Sequence, residues 1–305
     1  MKNNFDYFIG IVWSGAKGSS HKGIAVAISS DKNNLIEIVN PKKKYWSRIE
    51  ILEYLVRVSS SARILVGIDF AFSYPYTDYK SYFPDCKTIN LNTVLQLWEC
   101  IEKQNQGQED LYGGGIWDDE ILGEYYNSPV KRGKLYSSRR RLTEIHAKKI
   151  RSPSPTFNCI GPAGVGTGTL AGMRLVHKIK TILQSKCCIW PFECNKYLNT
   201  SNITMVEIFP SYYFHYAGQS SIKKDGRQKT LLNDTLSFYD QKFISKLSLE
   251  KNDNDDMDAV ISCAALKYFL NKQSKFNVFA CEIALVEFFK PRPHPSKIHR
   301  IILFL

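Results

Sequence analysis

Apolar residues recur in short blocks over the first seventy positions, separated by stretches rich in glycine, serine, lysine and asparagine. Residues 5 to 12, 23 to 29 (Gly-Ile-Ala-Val-Ala-Ile-Ser) and 34 to 39 (Asn-Leu-Ile-Glu-Ile-Val) have the length and β-branched content of three successive strands. The Gly-, Ser- and Lys-rich run from Ser14 to Gly23 has the composition of a hairpin loop between the first two. From Ser47 to Val58 the period becomes helical: Ile49, Leu52, Leu55 and Val56 share one face, and Ser47 can cap the start. A fourth strand follows in Arg63-Ile64-Leu65-Val66-Gly67-Ile68-Asp69-Phe70. Three strands, a helix and a strand open a mixed α/β sheet, with a right-handed crossover that delivers the fourth strand beside the first.

Beyond residue 72 the pattern is less regular. Asn92 to Lys103 has helical spacing, and residues 76 to 168 as a whole predict an insertion or lid with few apolar runs of its own. Thr169 to Ser185 is amphipathic, with Leu170, Met173, Val176, Ile179, Ile182 and Leu183 in phase. Residues 204 to 209 form a fifth strand, Tyr212 to Ala217 a short helix, and Asp256 to Leu270 the last clear helix. The reading is one domain over residues 1 to 305, built on a five-stranded sheet in the order third, second, first, fourth, fifth. Residues 271 to 305, with Pro291-Arg292-Pro293-His294-Pro295, stand outside the pattern as an atypical tail.

Composition narrows the class. With 305 residues, 44% hydrophobic and 23% charged, the chain has the balance of a soluble globular protein. No stretch approaches ~18 uninterrupted apolar residues, so no membrane span is expected. The start, Met1-Lys2-Asn3-Asn4-Phe5-Asp6, lacks the apolar core of a secretory signal. The cysteines at 86, 100, 159, 187, 188, 194, 263 and 281 form no CxxC pair and read as reduced thiols of a cytoplasmic protein. Six histidines without an HExxH motif give a zinc site little support.

The net charge of +12 is concentrated. Residues 131 to 151, KRGKLYSSRRRLTEIHAKKIR, hold nine Lys or Arg against the single acid Glu144, whereas residues 108 to 129 carry six acids and no base. Such a block favours a polyanionic partner, nucleic acid, through phosphate contacts and counterion release. Lys131, Arg132, Arg139, Arg140, Arg141, Lys148 and Lys149 are the candidate contacts. The alternative is a solvated helix face neutralised by the acidic neighbour.

Acids at the ends of apolar runs carry the candidate chemistry. Asp69 closes its strand, Glu207 lies between Val206 and Ile208, and Asp255 and Asp258 share one face at a helix start. A carboxylate within a run of Ile, Leu and Val is costly to bury unless paired or metal-bound, so three such places point to acids converging on a cation. Each also has a structural reading: Asp69 as a loop cap, Glu207 on a solvated edge strand, Asp255 and Asp258 as partners of the helix dipole. The first strand ends with Val12 where a fourth acid would complete the set. Gly161-Pro162-Ala163-Gly164-Val165-Gly166-Thr167-Gly168 precedes a helix and contains a GxGxxA match, but no apolar strand leads into it; a phosphate-backbone contact is the reading that survives.

Four segments carry a family resemblance. Ile9-Gly10-Ile11-Val12-Trp13-Ser14-Gly15-Ala16, Gly67-Ile68-Asp69-Phe70-Ala71-Phe72-Ser73-Tyr74-Pro75, Val206-Glu207-Ile208-Phe209-Pro210-Ser211 and Asp255-Asp256-Met257-Asp258-Ala259 occur in that order. Arg139-Arg140-Arg141-Leu142-Thr143-Glu144 and Ile189-Trp190-Pro191-Phe192 add to the likeness, which spans roughly residues 5 to 270. Together they resemble domain-of-unknown-function family 429, predicted nucleases of the ribonuclease H-like superfamily. The resemblance implies that fold and metal-assisted phosphodiester hydrolysis with Mg²⁺ or Mn²⁺. It assigns catalytic roles to Asp69, Glu207, Asp255 and Asp258, and ligand roles to Asp69, Glu207 and Asp258. The first-strand acid falls at Val12, which has no lone pair to offer a cation. Three functions remain open: a nuclease-family protein with weakened or lost activity, a non-catalytic nucleic-acid-binding protein, and a nucleotide hydrolase or phosphotransferase of related topology.

Overall fold

The computed structural model describes residues 5–148, 150–161, 164–193, 200–220, 228–244 and 254–272. The strands are β1 (Tyr7–Val12), β2 (Ala25–Ser30), β3 (Leu35–Ile38), β4 (Ile64–Ile68), β5 (Cys187–Ile189), β6 (Ile203–Glu207) and β7 (Lys242–Phe243). The helices are α1 (Arg48–Ser61), α2 (Val94–Gln104), α3 (Leu142–Ala147), α4 (Val165–Leu183), α5 (Pro210–Tyr216), α6 (Gln228–Phe238) and α7 (Asn254–Lys272). The sheet is mixed and seven-stranded, in the order β5-β6-β4-β1-β2-β3-β7, which corrects the expected five. The two additional strands lie at its edges. β5 has three residues and β7 two, too short for alternation to register in the sequence.

At the centre, β1 pairs antiparallel with β2 and parallel with β4, with Ile9 opposite Val66 and Ile11 opposite Ile68. Side-chain alternation along these strands divides two cores. On one face Ile9, Ile11, Val66, Ile68 and Met205 pack with Ile51 and Leu55 of α1 and Leu170 and Met173 of α4. On the other, Phe8, Val12, Leu65 and Ile208 pack with Met257, Val260 and Ala264 of α7. Gly10 permits the second contact to close: a Cβ there would lie 2.4 Å from the Ala259 carbonyl oxygen and 2.7 Å from the Cys263 nitrogen. The Cys263 thiol donates to the Phe8 carbonyl at 3.2 Å, and Lys267 Nζ donates to the Ser30 carbonyl at 2.7 Å. The helix therefore runs against β1, which brings its first turn to the carboxyl end of the central strands.

Ser47 caps α1 as expected, accepting from the Glu50 N–H at 3.0 Å. The buried face of α1 is Arg48, Ile51, Leu52, Tyr54 and Leu55, while Ile49 is 38% exposed; tertiary packing rotates the helix relative to the expected stripe. α4 starts four residues before the expected Thr169 and takes in the glycine-rich run from Val165. Those residues are poor helix formers, but they permit close approach: a Cβ on Gly166 would lie 2.6 Å from the Thr156 carbonyl oxygen.

Residues 76 to 168 are richer in core-forming side chains than their lack of apolar runs implies. Trp98, Ile101, Leu111, Ile116, Trp117, Leu122, Tyr125, Tyr126 and Phe157 belong to the same core as the α4 face of the sheet. Tyr74 stacks on Phe157 with centroids 4.2 Å apart, and Trp98 Nε1 donates to the Phe72 carbonyl at 2.7 Å. Glu102 on α2 pairs with Arg174 on α4 at 2.7 Å. Burial pushes the Glu102 carboxyl up, but Arg174 and Lys178 outweigh it and hold it below the ordinary value. Among the described residues, Cys86, Cys100, Cys159, Cys187, Cys188 and Cys263 are free thiols, and no helix is long and apolar enough to cross a membrane. The tail lies outside the described residues from 273 onward.

Candidate functional site

The Asp69 N–H donates to the Ile11 carbonyl at 3.0 Å, which sets Asp69 beside Val12 where the parallel strands β1 and β4 end. Val12 and Leu65 belong to the α7-side core, and alternation from Leu65 places Asp69 on that side too. The first turn of α7 arrives over the same strand ends. A Cβ on Gly23 would lie 3.8 Å from Asp255 Oδ2 and 3.7 Å from the Ser14 Cβ, so Asp255 sits at the connection between β1 and β2. The Asp69 carboxyl is pushed up to about 8, first by burial, then by the charges of Asp258, Glu207 and Asp255, with Arg151 acting against the rise. Asp258, Glu207 and Asp255 thus each lie within electrostatic range of Asp69.

Glu207 takes a different route. It stands opposite Ile68, whose side chain lies in the α4-side core, so it leaves the sheet on that side. There the Arg141 guanidinium grips it with both terminal nitrogens, Nη1 to Oε2 at 2.7 Å and Nη2 to Oε1, while the Phe72 N–H donates to Oε2 at 3.0 Å. Arg141 Nε donates to Glu144 at 2.9 Å. Glu144 is 4% exposed; burial pushes its carboxyl up, and Arg141 works against that rise. One guanidinium therefore serves two carboxylates, the buried Glu144 and the half-buried Glu207, and both Glu207 oxygens accept hydrogen bonds.

Arg139 and Arg141, expected as exposed phosphate contacts, are 8% and 7% exposed. Arg139 donates to both carboxylate oxygens of Asp78, at 2.8 and 2.6 Å, and to the carbonyls of Tyr82, Pro75 and Ser81. A guanidinium so occupied has no donor face to turn to a polyanion. Lys131 is paired with Glu124, and Lys134 gives its backbone N–H to the same carboxylate at 2.7 Å. One ion pair, Lys131 with Glu124, joins the basic and acidic blocks, while Arg139 and Arg141 find their acids elsewhere. The helix in this segment covers only Leu142–Ala147, so the solvated helix face of the alternative reading is not what forms. Arg132, stacked over Tyr136 at 4.9 Å, and Lys148 remain exposed, Arg140 is half-buried, and Lys149 lies outside the described residues.

Asp69, Glu207, Arg141 and Arg151 open onto one cleft of about 610 Å³. Its wall includes the loop Ser14 to Ala16 after β1, the run Ser152 to Ser154, Thr156, and the start of α4 from Gly164 to Thr169. No local pattern of residues marks what fixes the Ser14 loop. Arg48, fully buried, donates to the Ser14 carbonyl at 2.8 Å, to the Ala16 carbonyl and to the Asp110 carbonyl at 2.7 Å. Asp110 accepts from the N–H groups of Arg48 and Ile49, each at 3.0 Å, and pairs with His21 Nε2 at 2.8 Å. Burial drives the Asp110 carboxyl up; the His21 contact and these N–H groups bring it below the usual value.

The expected Mg²⁺ or Mn²⁺ site does not assemble from these side chains: among the described residues, no group of three or more His, Cys, Asp or Glu is placed to hold a metal ion. Two physical reasons are visible. Val12 contributes no oxygen, and the Glu207 carboxylate is already clasped by Arg141. Compared with family models, with curated proteins and with solved structures, the chain matches none.

Proposed function

We propose that the chain is a nucleic-acid-binding protein of the ribonuclease H-like nuclease type, which holds a phosphodiester backbone in this cleft and has little or no metal-assisted cleavage. The observation that carries the reading is the cleft itself, which brings Asp69, whose carboxyl is pushed up to about 8 by burial and by Asp258, Glu207 and Asp255, together with Arg151 and the start of α4. Burial and the neighbouring acids favour the protonated form of Asp69. A neutral carboxyl donates a hydrogen bond to a phosphate oxygen, where a carboxylate would repel it. Arg151, exposed at the cleft, and Arg132 and Lys148 on the same basic segment supply the cationic partners that backbone binding requires. Cleavage by two metal ions needs several anionic oxygens, and the residues here do not fit it, so the roles implied by the resemblance reduce to binding.

Fluorescence anisotropy of a labelled single-stranded oligonucleotide tests this. Affinity should fall steeply between about 50 and 200 mM salt, and should fall again as pH rises through about 8 and Asp69 ionises. Absent or salt-insensitive binding would remove nucleic acid as the partner.

A further inference from the structure

The start of α4 is a helix terminus without a cap. Of the N–H groups that a helix leaves without internal partners, Gly164 donates to the Gly161 carbonyl at 2.9 Å and Gly166 to the Asn158 carbonyl at 2.8 Å. Those of Val165 and Thr167 have no partner among the described residues, and no side chain caps the end. The helix is 19 residues long, so its terminus carries the full positive partial charge. Val165 and Thr167 line the cleft.

A second observation is independent of the helix. Thr156 is 1% exposed and lines the same cleft, yet its Oγ1 has no hydrogen-bond partner. Buried hydroxyls are seldom left so, because desolvation then goes uncompensated. Thr143 Oγ1, half-buried on the cleft wall, is also without one. The Thr156 carbonyl lies against Gly166, so this hydroxyl belongs to the segment on which the helix start is seated. Thr156, Thr143, Val165, Thr167 and Arg151, whose Nη1 donates to Ser211 at 2.6 Å, line one cleft.

We infer that the start of α4, with Thr156, is a built oxyanion subsite that takes one phosphate group of the bound chain. This deepens the nucleic-acid reading and rests on it for the source of the phosphate. Thr156, Val165, Thr167 and Arg151 line the α4 side of the cleft, so the phosphate is seated there. No bond is made or broken.

The test uses the full chain with inorganic phosphate as probe, followed by amide NMR. Wild type should show saturable shifts at Val165 and Thr167. Thr156→Val should weaken phosphate about tenfold, the loss of one hydrogen bond to a charged group. It should also melt no lower than wild type, because it discards a hydroxyl that has no partner. Thr156→Ser should bind as wild type does. Phosphate binding unaltered in Thr156→Val, or absent at α4 in wild type, overturns the subsite. Phosphate bound here with no oligonucleotide binding keeps the subsite and removes the nucleic-acid reading. Oligonucleotide bound equally by Thr156→Val and wild type, with no phosphate binding, does the reverse.

Discussion

Glu207 and Asp69 sit at the ends of adjacent parallel strands and open onto one cleft, yet their surroundings are opposite. On the Glu207 side a buried guanidinium, a backbone N–H and a second carboxylate close a network in which the glutamate's charge is compensated. On the Asp69 side the neighbours acting most strongly are other acids, and the carboxyl holds its proton up to about pH 8. The first arrangement is architecture: it ties the basic segment to the sheet. The second is a store of unfavourable charge that a bound cation or proton relieves, which is where chemistry is expected. A carboxylate at a strand end is therefore not informative by itself; its partners decide which kind it is.

The sharpest way to break this contrast is Arg141→Ala. It leaves the buried Glu144 and the half-buried Glu207 without this counter-charge, which should cost about 3–5 kcal/mol and lower Tm by roughly 5–8 °C. A shift of only a degree or two in thermal melting would mean that the network does not hold the segment. Asp69→Asn should act in the opposite direction. Because folding raises this acid from its ordinary value to about 8, the folded state binds more protons than the unfolded one within that window. Stability is then greatest in acid and falls as pH rises towards 8. Removing the charge should raise Tm on the order of 5 °C above about pH 8 and leave it unchanged near pH 4. An equal effect at both pH values would show that Asp69 is not the group being titrated. The smallest effects belong to the exposed cations. Arg132→Ala and Lys148→Ala should each lower the salt dependence of oligonucleotide binding by about one ion and leave Tm unaltered.

Local signals in the sequence reached some of this. Ser47 as a cap and Asp69 as the acid at the end of an apolar run are both written in consecutive residues, and the structure places both where they were expected. Glu207 showed the same local signature, but its partner Arg141 lies 66 residues upstream, and no period or motif connects the two. The same distance problem hid Arg139, which reads as one of nine cations and is buried on Asp78, 61 residues away. The core between residues 76 and 168 was missed for another reason: its aromatic residues stand singly in irregular backbone, so burial there leaves no periodic trace. Gly10 and Gly166 mark backbone approaches that only the assembled elements reveal.

Val12 is the position at which the central claim can be tested most directly. It lies beside Asp69, 7% exposed and packed on the α7 side. Val12→Asp adds one anionic oxygen donor to the cluster. Without metal the variant should melt below wild type, since it buries another like charge. With Mn²⁺ it should recover that stability and cleave a single-stranded oligonucleotide that wild type leaves intact, and adding Asp69→Asn should abolish both gains. Wild type that cleaves strongly with Mn²⁺, or a folded Val12→Asp that neither binds the ion nor cleaves, would contradict the account.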